Sequence, residues 1–181
     1  HKELPRPDNP LFVSVNVSTR QLFRPDLVSE VRQIMGRGLL PKGSLRLEIT
    51  ESLVMENPEQ ATKVLENLAA TGAVLALDDF GAGYSSLSYL TAFPFDKVKI
   101  DRSFINRLDR TETQTVMTAI VQLAKSLNLS VVAEGIETEA QLEKLRSLAI
   151  DFGQGYLLGR PKPAAALGFT RYQADDRIHA A

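Results

Sequence analysis

Polar side chains lie at or near the C-terminal end of each of the six short apolar runs of this sequence. The runs cover residues 11–17, 45–49, 73–77, 97–100, 129–133 and a few residues around Phe152. Burying one unpartnered polar group costs about 1 to 3 kcal/mol, so a polar residue at every run end indicates a shared purpose. These residues are Asn16, Glu48, Glu51, Asp78, Asp79, Lys99, Asp101, Glu134 and Gln154.

The chemistry of this set is that of hard oxygen ligands. Its carboxylates and amide oxygens come with no cysteine in the chain and no histidine nearby, which suits Mg²⁺ or Mn²⁺ rather than zinc. The adjacent Asp78 and Asp79 could serve two ions about 3.5–4 Å apart, the arrangement used to hydrolyse phosphoesters. Lys99 could orient the attacking water or neutralise a phosphate oxygen, and the ions would offset the repulsion between carboxylates and a phosphodiester.

Each of these residues taken alone also has an ordinary structural explanation. Asp79 could be a helix cap or a turn residue, and Asn16, which lies before Ser18, could be a helix cap. Glu51 could be a first-turn helix carboxylate. A lone lysine is usually solvated or salt-bridged. These alternatives stay open for single residues, whereas the recurrence at all six run ends favours a functional site.

The elements that must position these residues alternate along the chain. The apolar runs are strand-like and are separated by longer stretches of helical pattern, an order that predicts an α/β fold with parallel strands. Six such units fit either a doubly wound sheet or a barrel. In a parallel barrel the C-terminal strand ends converge on one face, where active sites lie.

Local signals mark where several of the helices begin. Asn57 precedes a proline and is a predicted N-cap. Thr111 with Gln114, and Thr138 with Gln141, have the spacing of capping boxes at the starts of two further helices.

Composition narrows the class of protein. The 181 residues suit one domain, and 44% hydrophobic and 24% charged residues are typical of a globular protein. A net charge of −1 gives no overall field for a nucleic-acid polymer or an anionic membrane, although local positive groups could still bind a nucleotide. No apolar run approaches the roughly 20 residues that span a bilayer, so we expect no membrane contact from this chain. The absence of cysteine fits a cytoplasmic location.

The polar residues also lie in six short sequence motifs, which are SVNVS at 14–18, LEITES at 47–52, DDFGAGYSSL at 78–87, KVKIDRSF at 97–104, AEGIET at 133–138 and GQGYLLGRP at 153–161. In order and spacing these motifs resemble the EAL-type cyclic-di-GMP phosphodiesterase family. The resemblance implies a TIM-like barrel, here about six of its eight βα units, that hydrolyses cyclic di-GMP to linear pGpG with Mg²⁺ or Mn²⁺.

The same resemblance implies a role for each residue. The implied metal ligands are Asn16, Glu48, Asp78, Asp79 and Glu134, and they would hold two ions. Lys99 resembles the residue that positions or activates the attacking water, and Gln154 a water-positioning group. Glu51 resembles the residue that anchors the loop after Asp79, which in the family couples the metals to a homodimer interface.

Two departures from the family pattern matter. No E-A-L sequence precedes residue 11, and in the family that segment supplies a metal-binding glutamate and a phosphate-contacting arginine. We therefore expect a single, N-terminally incomplete domain from a longer protein, with a leader at 1–10, a motif-bearing barrel portion at 11–163, and a C-terminal helix and tail at 164–181. Ala82 replaces the usual threonine of the glycine-rich loop, and loss of that hydroxyl could loosen the loop on which dimer-linked activation depends in the family.

Two other function classes compete with the enzyme. The first is a catalytically inactive relative that senses cyclic di-GMP by binding it, and the missing glutamate keeps this alternative open. The second is a protein-interaction module without a nucleotide. Retention of Asp78, Asp79 and Lys99 argues against the second, since such a module has no need of buried like charges.

Overall fold

Short strands alternate with helices throughout the described part of the chain. The computed structural model describes residues 12–37, 41–81, 89–163 and 179–180. By its internal contacts the chain divides into two compact units, residues 1–98 and 99–181, and the boundary falls inside one strand.

The first unit contains a parallel sheet of three strands joined through helices. β1, Val13–Asn16, pairs with β2, Leu45–Thr50, and β2 pairs with β3, Val74–Phe80. The strand β4, Lys97–Ile100, contains the boundary. The helices are α1 Thr19–Leu22, α2 Leu27–Arg37, α3 Glu51–Glu56, α4 Pro58–Ala69 and α5 Tyr89–Ala92.

The second unit follows the same plan. β5, Ser130–Glu134, pairs in parallel with β6, Phe152–Gln154, and β6 pairs in parallel with the two-residue β7, His179–Ala180. The helices of this unit are α6 Arg102–Ile105, α7 Thr111–Ser126 and α8 Glu139–Ser147. All six predicted strands are present, and their parallel pairing within each unit confirms the α/β class. β7 lies in the segment that we placed in the C-terminal tail.

Apolar side chains on one face of each sheet hold the helices. In β2, Leu47 and Ile49 are buried and alternate with Glu48, which follows from the two-residue repeat of a strand. α3 packs against β2 and β3, and α4 packs against β3. In the second unit α7 packs against β5 and buries Met117 completely. This arrangement leaves the opposite strand face for polar side chains.

Two of the predicted helix starts are confirmed. The Asn57 side chain accepts a hydrogen bond from the Gln60 amide at 3.2 Å and caps α4. Thr138 and Gln141 form a complete capping box at the start of α8. The Thr138 side chain accepts a hydrogen bond from the Gln141 amide, and the Gln141 side chain accepts one from the Thr138 amide. Both caps satisfy amides that the first helical turn leaves unpaired.

The predicted capping box of Thr111 and Gln114 is wrong. α7 begins at Thr111 itself, and its N-cap is Arg110, which makes no side-chain cap hydrogen bond. The Gln114 side chain instead donates to the Leu108 carbonyl at 2.9 Å. The Leu108 carbonyl, in the turn before α7, is an alternative acceptor for the Gln114 side chain. The spacing of Thr111 and Gln114 therefore did not by itself determine the hydrogen-bond partner of Gln114.

Three short helices, α1, α3 and α6, were not predicted. Each has four to six residues, which is too short for a helical repeat to be visible in the sequence. β1 is exposed along its whole length, and the exposed fractions of Val13 and Val15 are 63% and 42%. Among the described residues, no helix has the length and apolar character needed to cross a bilayer.

Three predictions fall outside the described residues. They are the leader at 1–10, the tip of the loop after Asp79 at 82–88, and most of the C-terminal helix and tail at 164–178 and 181.

An aspartate fastens the start of one strand in each unit. Asp96, just before β4, accepts a hydrogen bond from the Leu75 amide of β3 at 2.8 Å, and its own amide donates to the Leu75 carbonyl. Asp151, just before β6, accepts from the Val131 amide of β5 at 2.8 Å. Both bonded amides belong to fully buried residues. The repetition of this contact was not predicted.

We expect Asp151→Ala to lower the free energy of unfolding by about 1–3 kcal/mol, because the buried Val131 amide loses a charged acceptor. Urea unfolding followed by circular dichroism measures the change. Asp109→Ala is the matched control, since Asp109 is exposed, and we expect it to change stability by less than about 0.5 kcal/mol. Equal midpoints for the two variants would show that the Asp151 contact contributes nothing.

Candidate functional site

Strand register places three of the predicted ligands of the first unit on one sheet face. Asn16 of β1 and Glu48 of β2 are direct partners in the parallel register. Glu48 pairs with Ala76 of β3, and Asp78 lies two residues further along that strand. Because side chains alternate along a strand, Asp78 shares the face of Ala76 and therefore of Glu48. The three oxygen donors thus lie on neighbouring strands, near the C-terminal end of each.

A backbone turn brings Asp79 beside Asp78. Asp79 has φ +55°, a left-handed conformation that non-glycine residues seldom adopt and that aspartate tolerates better than most. Its amide donates to Asp78 Oδ1 at 3.0 Å, and a carboxylate oxygen of each residue lies within 4.8 Å of one of the other. Asp78 is buried, with 8% of its surface exposed, whereas Asp79 is exposed. Such a pair of converging carboxylates suits a divalent cation.

Glu51 lies outside this row of strand residues. It is the first residue of α3, whose N-cap Thr50 makes no side-chain cap hydrogen bond. The placement is that of a first-turn helix carboxylate, one of the alternatives considered for it. Its predicted anchoring of the loop after Asp79 concerns a loop whose residues 82–88 are outside the described part of the chain.

The predicted site residues of the second unit form one hydrogen-bonded cluster. Lys99 Nζ lies 2.7 Å from Glu134 Oε1, and Gln154 Nε2 donates to the same oxygen at 2.5 Å. Glu134 and Gln154 are direct partners in the register of β5 and β6. The side chains of Lys99 and Glu134 are only 6% and 15% exposed. Both donors therefore converge on a single carboxylate oxygen in a mostly buried position.

This buried cluster holds its polar groups in a more fixed orientation than a surface ion pair does. Charge-assisted hydrogen bonds are shorter and stronger than neutral ones, and little water is present to screen them at this burial. Glu134 thereby holds the Lys99 ammonium and the Gln154 amide at set positions. An ammonium held in this way can stabilise negative charge that develops on a phosphate oxygen.

Arg46 is a charged neighbour of Glu48 that the sequence reasoning missed. It lies two residues before Glu48 on the same face of β2, and its guanidinium carbon is 3.1 Å from the centroid of the Phe12 ring. Burial lowers the pKa of Arg46, and the nearby Glu48 carboxylate offsets part of that change. Its buried Nε has no hydrogen-bond partner among the described residues. A positive charge therefore lies next to the Asn16–Glu48 pair.

Asp101 connects the end of β4 to α6. Its side chain accepts a hydrogen bond from the Ser103 amide at 2.9 Å and caps that helix. Burial opposes ionisation of the Asp101 carboxyl, but hydrogen bonds from Ser103 and from the Arg102 amide outweigh it and lower the pKa. The ionised Asp101 carboxylate therefore stabilises the fold at pH values above its pKa in the unfolded chain. This stabilisation is lost as pH falls through the lower pKa of Asp101 in the folded chain.

Comparisons with known proteins show which family this chain is similar to. The family model described as EAL domain matches residues 1–161. The bifunctional diguanylate cyclase/cyclic di-GMP phosphodiesterase MucR of Pseudomonas aeruginosa is 46% identical over 156 residues, which are 86% of this chain and 23% of MucR. The structure described as PaMucR phosphodiesterase in complex with c-di-GMP superposes with a TM-score of 0.79 at 45% identity, over 86% of this chain and 64% of that one.

Another similar structure was solved with a metal. The manganese and cyclic-di-GMP complex of Klebsiella pneumoniae BlrP1 has a TM-score of 0.75 and 34% identity, and it covers 81% of this chain and 38% of that one. The chain spans only about a fifth of the length of curated relatives such as MucR, at 23%, and NbdA of the same species, at 20%. The similarity to these solved structures confirms the predicted fold class, part of a TIM-like α/β barrel.

Proposed function

Because this chain belongs to the EAL domain family, we propose that it is a metal-dependent phosphodiesterase that hydrolyses cyclic di-GMP to linear pGpG. The observation that carries the proposal is the Lys99–Glu134–Gln154 cluster, in which two donors converge on one carboxylate oxygen. Relatives named as cyclic di-GMP phosphodiesterases support the choice of substrate.

The proposed reaction adds one water across one phosphodiester bond of the cyclic dinucleotide. The water oxygen bonds to phosphorus, the bond from phosphorus to the ribose 3′ oxygen breaks, and that oxygen takes up a proton. The ring opens into a linear dinucleotide with a 5′ phosphate. No oxidant or second substrate is required.

The donor set fits divalent cations. We assign five residues as the ligands of two Mg²⁺ or Mn²⁺ ions, all of them through carboxylate or amide oxygens. When bound, the ions would neutralise the phosphodiester charge and make the attacking water more acidic. The five ligands are Asn16, Glu48, Asp78, Asp79 and Glu134.

The chain's own residues supply orientation. Lys99, held by Glu134, positions the attacking water and balances the charge that develops on the phosphate. Gln154 holds Glu134 from the neighbouring strand, and so limits how far that carboxylate can turn. Glu51 belongs to the proposal as the anchor of the loop after Asp79.

Dimer formation and location complete the proposal. We place a homodimer contact at the loop after Asp79, on the strength of the family resemblance, and analytical ultracentrifugation tests it. We place the reaction in the cytoplasm, where the second messenger of a bacterial signalling protein is produced and degraded.

The test is conversion of cyclic di-GMP to pGpG by this chain, followed by liquid chromatography after circular dichroism has shown the chain to be folded. We expect turnover with Mg²⁺ or Mn²⁺, loss of turnover with EDTA, and recovery when excess metal is restored. A folded chain that binds cyclic di-GMP with either metal and never converts it would instead be a sensor. A folded chain that does neither would contradict the proposed substrate.

A further inference from the structure

The glycines that follow Glu134 and Gln154 lie so close to neighbouring residues that neither position leaves room for a side chain. A Cβ atom at Gly155 would lie 2.2 Å from both the nitrogen and the oxygen of Ile136, and 2.7 Å from its carbonyl carbon. Gly159, four residues further along, has nothing within 4 Å of the same position. Of these two glycines in the segment after β6, only Gly155 therefore lacks room for a Cβ atom.

Two backbone hydrogen bonds hold Ile136 at this crossing. The Ile136 amide donates to the Gln154 carbonyl at 3.1 Å, and the Leu157 amide donates to the Ile136 carbonyl at 3.0 Å. The Ile136 side chain is fully buried. The segment that follows β5 is thus fixed to the segment that follows β6, within three residues of both Glu134 and Gln154.

A second approach links the ends of β4 and β5. A Cβ atom at Gly135 would lie 2.6 Å from Arg102 Cβ and 3.5 Å from Arg102 Cα, and Gly135 has φ +75°. Arg102 begins α6, which Asp101 caps, so its backbone is held in place. It lies three residues after Lys99. The two glycines therefore lie at successive contacts between the segments that follow β4, β5 and β6.

We infer that Gly135 and Gly155 are positioning residues, which set the spacing of Lys99, Glu134 and Gln154 through close contact with Arg102 Cβ and with the Ile136 backbone. An added methyl group at Gly155 would separate the segments after β5 and β6 by about 1 Å, because nonbonded carbon atoms prefer separations of about 3.5–4.0 Å. A displacement of that size takes a hydrogen bond such as the one from Gln154 to Glu134 beyond about 3.5 Å, where it is lost. The consequence for turnover rests on the proposed function, whereas the geometric consequence does not.

The experiment compares Gly155→Ala with Gly159→Ala, its matched control in the same segment. The side-chain amide signals of Gln154 in a ¹⁵N–¹H spectrum, assigned with the Gln154→Ala variant, report the hydrogen bond to Glu134 directly. We expect these signals to move to the position of exposed glutamines in Gly155→Ala and to stay in place in Gly159→Ala. Unmoved signals in a folded Gly155→Ala variant would overturn the inference.

Turnover gives a second readout that a general loss of stability would not produce. We expect Gly155→Ala to lower kcat about 100-fold with KM within about twofold, since a misplacement of about 1 Å costs this much. We expect Gly155→Ala to add little to the effect of Gln154→Ala, because both act on one contact. Fully additive effects would place the role of Gly155 elsewhere.

A variant that fails to fold does not prevent the test. Amide hydrogen exchange in the unchanged chain then decides, with protection of the Ile136 and Leu157 amides expected to match that of Val132 in β5. Exchange as fast as in an exposed loop would overturn the inference. Displaced Gln154 signals in Gly155→Ala, in a chain that never hydrolyses cyclic di-GMP, would support the positioning role and refute the proposed function.

Discussion

Asp78→Asn is expected to lower the turnover of cyclic di-GMP about 1000-fold. The carboxamide keeps the shape of the side chain and can still accept the Asp79 amide, but it removes a negative charge from the proposed metal site. A loss of roughly 4 kcal/mol of transition-state stabilisation corresponds to this factor, at 1.36 kcal/mol for each tenfold change in rate. Liquid chromatography of pGpG, at Mg²⁺ concentrations up to saturation, measures the effect.

The control for this variant is Asp109→Asn, which removes the same charge from an exposed position between α6 and α7. We expect it to leave turnover within about twofold, since surface substitutions seldom perturb a fold. Both variants are expected to unfold near the midpoint of the unchanged chain. Hydrolysis at an unchanged rate in Asp78→Asn would refute the assignment of Asp78 as a metal ligand.

Lys99→Met is expected to cost both activity and stability, and the two losses can be separated. Removing one partner of a buried ion pair leaves the other charge in a poor environment, which costs about 3–5 kcal/mol. We expect the lower end of that range, because the Glu134 oxygen keeps the hydrogen bond from Gln154. We expect turnover to fall at least about 100-fold, as for loss of a group that acts on the attacking water.

The double variant Lys99→Met/Glu134→Gln tests whether the stability lost in Lys99→Met comes from the Glu134 charge that is left without its partner. It removes both charges, so its free energy of unfolding is expected to exceed that of Lys99→Met, as urea unfolding can measure. Its turnover is expected to stay as low as that of the single variant. In Lys99→Met itself, a loss of turnover no larger than the unfolded fraction of the protein explains would assign Lys99 to the fold alone. Manganese binding, followed by electron paramagnetic resonance, is expected to survive in Lys99→Met, since Lys99 is not a proposed ligand.

Much of the local structure was predictable because it depends on neighbours in the sequence. Asn57 caps α4 and Thr138 caps α8, since each cap needs only residues within one helical turn. Gln114 shows the limit of that reasoning, because its side chain donates to the Leu108 carbonyl and does not form the predicted capping box with Thr111. A helix of four residues such as α6 has no visible repeat in the sequence, and the Asp101 cap at its start became evident only in the structure.

The pattern of polar residues at the run ends identified the candidate site residues, but it did not predict the geometry of the site. Alternation of strands and helices predicts that polar run ends lie near the C-terminal ends of parallel strands, and the registers of Asn16 with Glu48 and of Glu134 with Gln154 agree with it. The convergence of Lys99 and Gln154 on one oxygen of Glu134 depends on side-chain positions. Spacing along the chain contains no information about those positions.

The sequence by itself determined the residue types at each strand end, the alternation of the first six strands with the longer helices, and the motifs that carry the family resemblance. These properties depend on period, capping and composition, which are local. Only the tertiary structure decided that Asp79 turns back beside Asp78, that Asp96 and Asp151 fasten strand starts, and that Gly155 lies against Ile136. The physical reason is that each of these contacts joins backbone or side-chain groups whose separation is set by packing and by dihedral angles.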